Sequence, residues 1–346
     1  MKKRILAIVL AVCMASMVFA GCGSEPAAAP APADTPASAD AAPAPAEPAA
    51  KPANDKLVVG FAQIGQESGW RDAETQSIQF YAGQNIDTID LKFADAQQKQ
   101  ENQIKAIKSF IDMGVDVIGL APVVETGWDA VFTEAKEAGI PIVLVDRKAD
   151  VPEDLYATFI GSDFIKEGND GADEMARLLD NKGKIVELEG TVGASAANDR
   201  KKGFDDQIAA KYPDIEILAS QTGDFTRAKG KEVMESFLKT YGSEIQGVFA
   251  HNDDMMLGAI EAIKEAGLKP GVDIKTVSCD GVKGIFEAMA AGEANVTVEC
   301  NPLLGPQFFE TCAKLKAGET VEKWIKSEEG VYRAETAAED LPNRVY

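Results

Sequence analysis

The chain is 346 residues long and acidic, with 56 Asp and Glu against 35 Lys and Arg and a net charge of −21. That balance argues against nucleic acid or an anionic lipid surface as an electrostatic partner, since both are themselves negative. A single histidine, His251, and five cysteines without C-x-x-C spacing suggest no zinc site or disulfide framework, and no metal or cofactor is expected.

The first residues, Met1-Lys2-Lys3-Arg4, supply positive charge, and an uncharged apolar run follows from Ile5 to Ala20. This pattern reads as a signal peptide over residues 1–21, too short and wrongly flanked for a permanent membrane span. Its end, Phe19-Ala20-Gly21-Cys22, resembles the lipobox of bacterial lipoproteins, which implies lipidation of Cys22. Residues 22–55 are mostly Ala and Pro, with nothing periodic to bury. Such a segment is expected to form a solvated tether reaching ~100 Å when extended. The remaining residues, about 290 of them, suffice for two domains of ordinary size.

From residue 56 onward, short apolar runs alternate with amphipathic helical patterns. Strands are predicted at 57–64, 88–94, 117–121, 142–146, 158–162, 184–190, 215–222, 247–252, 275–280 and 295–299. Helices are predicted at 97–113, 128–138, 166–179, 196–208, 226–241, 255–266 and 282–291, with Gly114, Gly139 and Gly267 as C-terminal stops. The segments GVDVIGLAPV (114–123) and IQGVFAHNDD (245–254) repeat one logic: each follows a long helix, runs as a buried strand and leads to another helix. The expected fold class is therefore α/β, with two similar lobes built on parallel sheets. Open parallel sheets bind ligands at the carboxyl ends of their strands, so two facing edges make a cleft.

Polar residues collect at those ends. Strand one leads into QIGQESGWR, which puts Glu67, Ser68, Trp70 and Arg71 on a loop at the first mouth. Asp146 and Arg147 end a later strand of the same half. The second half offers Asn198, Arg200, Phe225, Asn252 and Asp280. Carboxylates and amides pair with vicinal hydroxyls, guanidinium donors form a fixed fork, and aromatic faces pack on C–H surfaces. That combination suits a polyol. Asp253-Asp254 reads as a helix N-cap, His251 as a packing residue, and Met255-Met256 as core.

These segments, with DAQQKQENQIKAIKSF, ELEGTVGAS and SQTGDFTRAKGKEVMESF, resemble the periplasmic sugar-binding protein family of ABC importers from about residue 56 to the end of the chain. The resemblance implies two Rossmann-like lobes joined by three crossovers, an N-terminal lobe of 56–159 plus 301–328 and a C-terminal lobe of 160–300 plus 329–346. It implies that Trp70 stacks on a sugar, with Glu67, Arg71, Asp146 and Arg147 binding from the first lobe. Asn252 and Asp280 would bind from the second, with Phe225 as the opposing wall. Asn198 stands where pentose-binding relatives carry a contacting Arg, and whether Arg200 substitutes for it stays open. Among Glu299, Cys300 and Asn301 the ligand-facing residue stays open.

The function implied is that of an extracytoplasmic, lipid-anchored, monomeric binding protein. It would close on a monosaccharide, galactofuranose-like or a related hexose or pentose, and pass it to an ABC transporter permease. A receptor for a membrane sensor would need the same domain. An extracellular sugar-acting enzyme is less well supported, since no G-x-S-x-G elbow, metal cluster or P-loop is present.

Overall fold

The computed structural model describes residues 56–346; the signal, lipidation and tether expectations lie outside the described residues. The Val- and Ile-rich runs form the strands of two sheets. The first holds β1 (Leu57–Gln63), β2 (Ile89–Asp95), β3 (Val117–Leu120), β4 (Ile142–Val145) and β5 (Thr158–Gly161). The second holds β6 (Gly183–Glu189), β7 (Ile215–Thr222), β8 (Gly247–Ala250), β9 (Lys275–Asp280) and β10 (Val296–Glu299). Both sets are parallel and wound alike, in the orders β5-β4-β3-β1-β2 and β10-β9-β8-β6-β7. The two repeated segments of the sequence hold β3 and β8, the third strand of each set.

The intervening helices are α1 (Gly69–Gln84), α2 (Gln100–Met113), α3 (Asp129–Glu137), α4 (Phe164–Leu178), α5 (Ser195–Lys211), α6 (Arg227–Tyr241), α7 (Asp253–Glu265) and α8 (Lys283–Ala290). They cover both faces of each sheet, so β3, β4, β5 and β8 are buried along their whole length. Such strands must be apolar throughout rather than alternating. Gly114, Gly139 and Gly267 take positive φ just past α2, α3 and α7, as left-handed helix stops require.

The chain passes between the sheets three times. It leaves the first sheet after β5 and enters α4, which packs beside β9 and β10. After β10 it returns to α9 (Gly305–Lys316), which packs on α1, and to β11 (Trp324–Lys326), which pairs with β5. It then crosses again to β12 (Val331–Arg333), antiparallel to β10, and α10 (Ala337–Asp340), packed on α8. Two short return strands of three residues each carry too little periodicity to be read from the sequence.

One close approach matters for the site. A Cβ on Gly168 would lie 2.3 Å from the Arg200 carbonyl, and one on Gly203 would lie 2.2 Å from that of Ile165. Only glycine lets α4 and α5 come this near, and their contact fixes where Arg200 points.

Candidate functional site

The carboxyl ends of both sheets meet at a narrow cavity whose open space, part of it continuous with solvent, is about 260 Å³. It is lined by Glu67, Ser68, Trp70, Arg71, Asp146, Arg147, Ala196, Arg200, Phe225, Asn252, Asp280 and Cys300. Nine of the ten residues expected at the site are thus brought together; Asn198 is not.

Trp70 and Arg71 do not lie on the loop expected from the sequence. Ser68 caps α1, its hydroxyl accepting from the Arg71 amide at 3.2 Å, so both residues sit in the first helical turn. The helix then aligns Arg71 with acids one turn away on either side, Glu67 at 3.4 Å and Glu74 at 3.0 Å, and its guanidinium also pairs with Asp146. Burial works against the Arg71 charge, but Asp146, Glu74 and Glu67 outweigh it and hold the group firmly protonated. Glu74 escapes notice in the sequence because its role depends on a helix whose periodicity is faint; Ser68 four residues before Asp72 is the available signal.

Arg147 donates to Glu67 at 2.5 Å and lies 5.0 Å from the Phe225 ring of the opposite lobe. Its Nε and Nη1 are buried and have no hydrogen-bond partner among the described residues. Burial, with Arg71 and Arg200 nearby, holds its pKa below the usual arginine value, against the pull of Glu67.

In the second lobe, Arg200 donates to Glu167 and to the His251 carbonyl, both at 2.6 Å, and approaches Asp280 at 3.5 Å. Glu167, on α4, was not anticipated, since only the folded helix contact brings it near. Asn252 is the N-cap of α7, a place expected for Asp253-Asp254: its side chain accepts from the Met255 amide at 3.0 Å and donates to the Phe225 carbonyl at 3.0 Å. One amide hydrogen therefore remains for a ligand. Asp253 instead binds inward, to Ser278, Thr297 and the amides of Gly281 and Val282.

Three of the lining residues depart from ordinary backbone. Asp146, Phe225 and Asp280 have φ of 63°, 61° and 123°. Strain of this kind persists only where the surroundings enforce it, and it concentrates at ligand sites.

His251 is fully buried behind the cavity. Its Nδ1 accepts from the Gly190 amide at 3.1 Å, so Nε2 carries the proton shared with Glu187 at 2.9 Å. Among the residues left open, Cys300 faces the cavity. Glu299 instead takes Arg344 and Tyr346, and the amide of Asn301 donates to Glu329. Cys279, Cys300 and Cys312 are all free and buried.

The lobes meet around the cavity. The Trp70 indole donates to the Cys300 carbonyl at 2.6 Å while its ring packs in the second lobe's core. At the crossovers, Ser162 donates to Glu329, which also accepts from the Asn301 amide at 3.2 Å. Burial, reinforced by Glu167, pushes the Glu329 carboxyl up to about 8. A carboxyl raised on folding stabilises the fold below its unfolded pKa, and that contribution is lost as pH rises toward 8. Thermal melts of Glu329→Gln and parent are therefore expected to diverge in the variant's favour from about pH 5 to pH 9. Parallel curves across that range would contradict the assignment.

Two lobes wrapped around a small polar cavity and linked by three crossovers define a clamp-type ligand-binding protein. Residues 59–320 match the periplasmic binding protein domain family, and the chain belongs to that family. It is 52% identical over 293 residues to the galactofuranose-binding protein YtfQ of Escherichia coli (strain K12), covering 83% of this chain and 91% of that protein. The binding protein of the arabinose ABC transporter from Shewanella sp. ANA-3, solved with α- and β-L-arabinofuranose, is 51% identical with a TM-score of 0.80, over 83% of this chain and 95% of its own. A Mycobacterium smegmatis protein in complex with β-D-fucofuranose is 50% identical, also with a TM-score of 0.80, over 83% of this chain and 94% of its own.

Proposed function

We propose that this extracytoplasmic sugar-binding protein captures a neutral monosaccharide in its furanose form by hinge closure and delivers it to an ABC importer. The observation that carries the reading is the matched set of guanidinium donors and carboxyl groups lining the cavity. Three guanidinium groups, Arg71, Arg147 and Arg200, face three carboxyl groups, Glu67, Asp146 and Asp280, between the aromatic walls of Trp70 and Phe225. Such a lining offers donors and acceptors to hydroxyl groups without favouring an ion. Members of the family bind solutes rather than transform them, and the furanose ligands named for the similar proteins support the ring form.

In this reading Glu67, Trp70, Arg71, Asp146 and Arg147 grip from a lobe of 56–159 plus 301–328. Arg200, Phe225, Asn252 and Asp280 grip from 160–300 plus 329–346. Ligand affinity for the closed form drives the closure. A thermal-shift panel of L-arabinose, D-galactose, D-fucose and D-ribose, alongside methyl pyranosides locked in the six-membered ring, tests this. Sugars able to form furanoses should raise Tm and the locked pyranosides should not; a panel with no stabilising sugar would refute it.

The reading extends to a monomer held at the membrane through a lipid on Cys22. In cell fractionation, Cys22→Ser is expected to move the protein from the membrane pellet to the medium with sugar affinity unchanged. Retention in the pellet would rule out the anchor.

A further inference from the structure

The lobes also meet outside the cavity, through groups that line no part of it. Glu125 follows β3 on the first lobe, and Asn198 lies in the first turn of α5 on the second. The Asn198 amide donates to the Glu125 carboxylate at 2.6 Å, and the Glu125 backbone amide donates to the Gly193 carbonyl at 2.8 Å. Beside them the Lys148 amide donates to the Ser195 hydroxyl at 2.8 Å. Each bond runs from one lobe to the other, so each breaks when the lobes part and its groups return to water. The free energy of the set therefore belongs to the closed form alone, which is the condition for shifting an open–closed equilibrium.

We propose that Glu125 and Asn198 form a clasp that sets how long a captured sugar is held without touching it. They are positioning residues, and the idea rests on capture by hinge closure. It also accounts for Asn198 lying away from the cavity while remaining at the lobe junction.

The test uses stopped-flow fluorescence, with Trp70 in the cavity as reporter and L-arabinose as first probe, followed by the other panel sugars. Asn198→Ala should release sugar about three- to tenfold faster, a net hydrogen bond's worth, while associating at the parental rate. Its ligand-free Tm should match the parent, because the open form makes no clasp.

Asn198→Asp supplies a readout that loss of packing would not move. It sets a second carboxylate against Glu125, with Asp199 and Asp150 adding negative charge and Lys148 opposing. Burial already raises the Glu125 carboxyl, and these acids raise it further. Release should be fastest near pH 8 and slow toward pH 5, as a shared proton restores the bond. Parental dissociation in both variants, or equal changes in association and dissociation, overturns the clasp. Failure of every panel sugar to bind the parent overturns the capture reading and the clasp with it.

Discussion

An Asp280→Gly variant is expected to fold at least as stably as the parent and to lose sugar binding. Asp280 ends β9 at φ 123°, a conformation that a residue with a Cβ adopts only under strain. Relief of that strain is worth roughly 1–3 kcal/mol, against about 0.5–1 kcal/mol of added backbone freedom in the unfolded chain. The carboxyl adds to the cost of the native residue. Burial raises its pKa well above the usual range, with Arg200 opposing and Asp253 and Glu167 reinforcing. A group raised in this way weakens the fold as pH climbs toward neutrality, so its removal helps most there. The same change deletes a hydroxyl acceptor from the cavity and leaves Arg200 with Glu167 and the His251 carbonyl. Affinity should fall at least ~30-fold, the equivalent of about 2 kcal/mol for a charged hydrogen bond. Calorimetric melting and sugar titration check both halves. A Tm several degrees below the parent, or parental affinity, would refute the assignment of strain to function.

Arg147→Met should produce the larger loss of binding, again without loss of fold. Two guanidinium nitrogens of Arg147, Nε and Nη1, are buried and make no hydrogen bond to any described residue. Burial of an unsatisfied polar group costs about 1–3 kcal/mol. Methionine keeps a flexible apolar stem while removing those donors and the guanidinium that lies over Phe225, and Glu67 keeps Arg71 as partner. Stability should hold or rise. Affinity should fall by ~100-fold or more, since two charge-assisted bonds to sugar oxygens are lost together. Arg147→Lys should fall between the two, because an ammonium keeps the charge but cannot present two donors in a fixed fork. If Arg147→Met binds as the parent does, the unpartnered nitrogens serve no ligand.

The strand framework was legible because both faces of each sheet are covered, which writes each strand as an unbroken apolar run such as Ile142–Val145. The strand ends were legible for the same reason: Asp146 and Asp280 are the first charges after such runs. Other features are set by contacts the sequence does not display. Helix α1 has only five buried positions across sixteen residues, so its apolar face is faint and Trp70 and Arg71 read as loop. Asn198 is two residues before Arg200, yet on a helix that spacing turns one toward the cavity and the other toward the lobe junction. The roles of Glu74 and Glu167 arise from helix packing alone.

The two sheets share one winding order, and Asp146 and Asp280 stand at corresponding places, each at the end of the fourth strand of its set. The next residue in each lobe differs: Arg147 on one side, Gly281 on the other. The third strands also diverge, β3 running into Ala121-Pro122 and β8 into His251-Asn252. The doubled frame thus presents two unlike palms to an asymmetric guest, and its selectivity is written in the loops rather than in the scaffold. Retargeting the protein to another sugar is then a matter of rewriting one palm while the other keeps its hold.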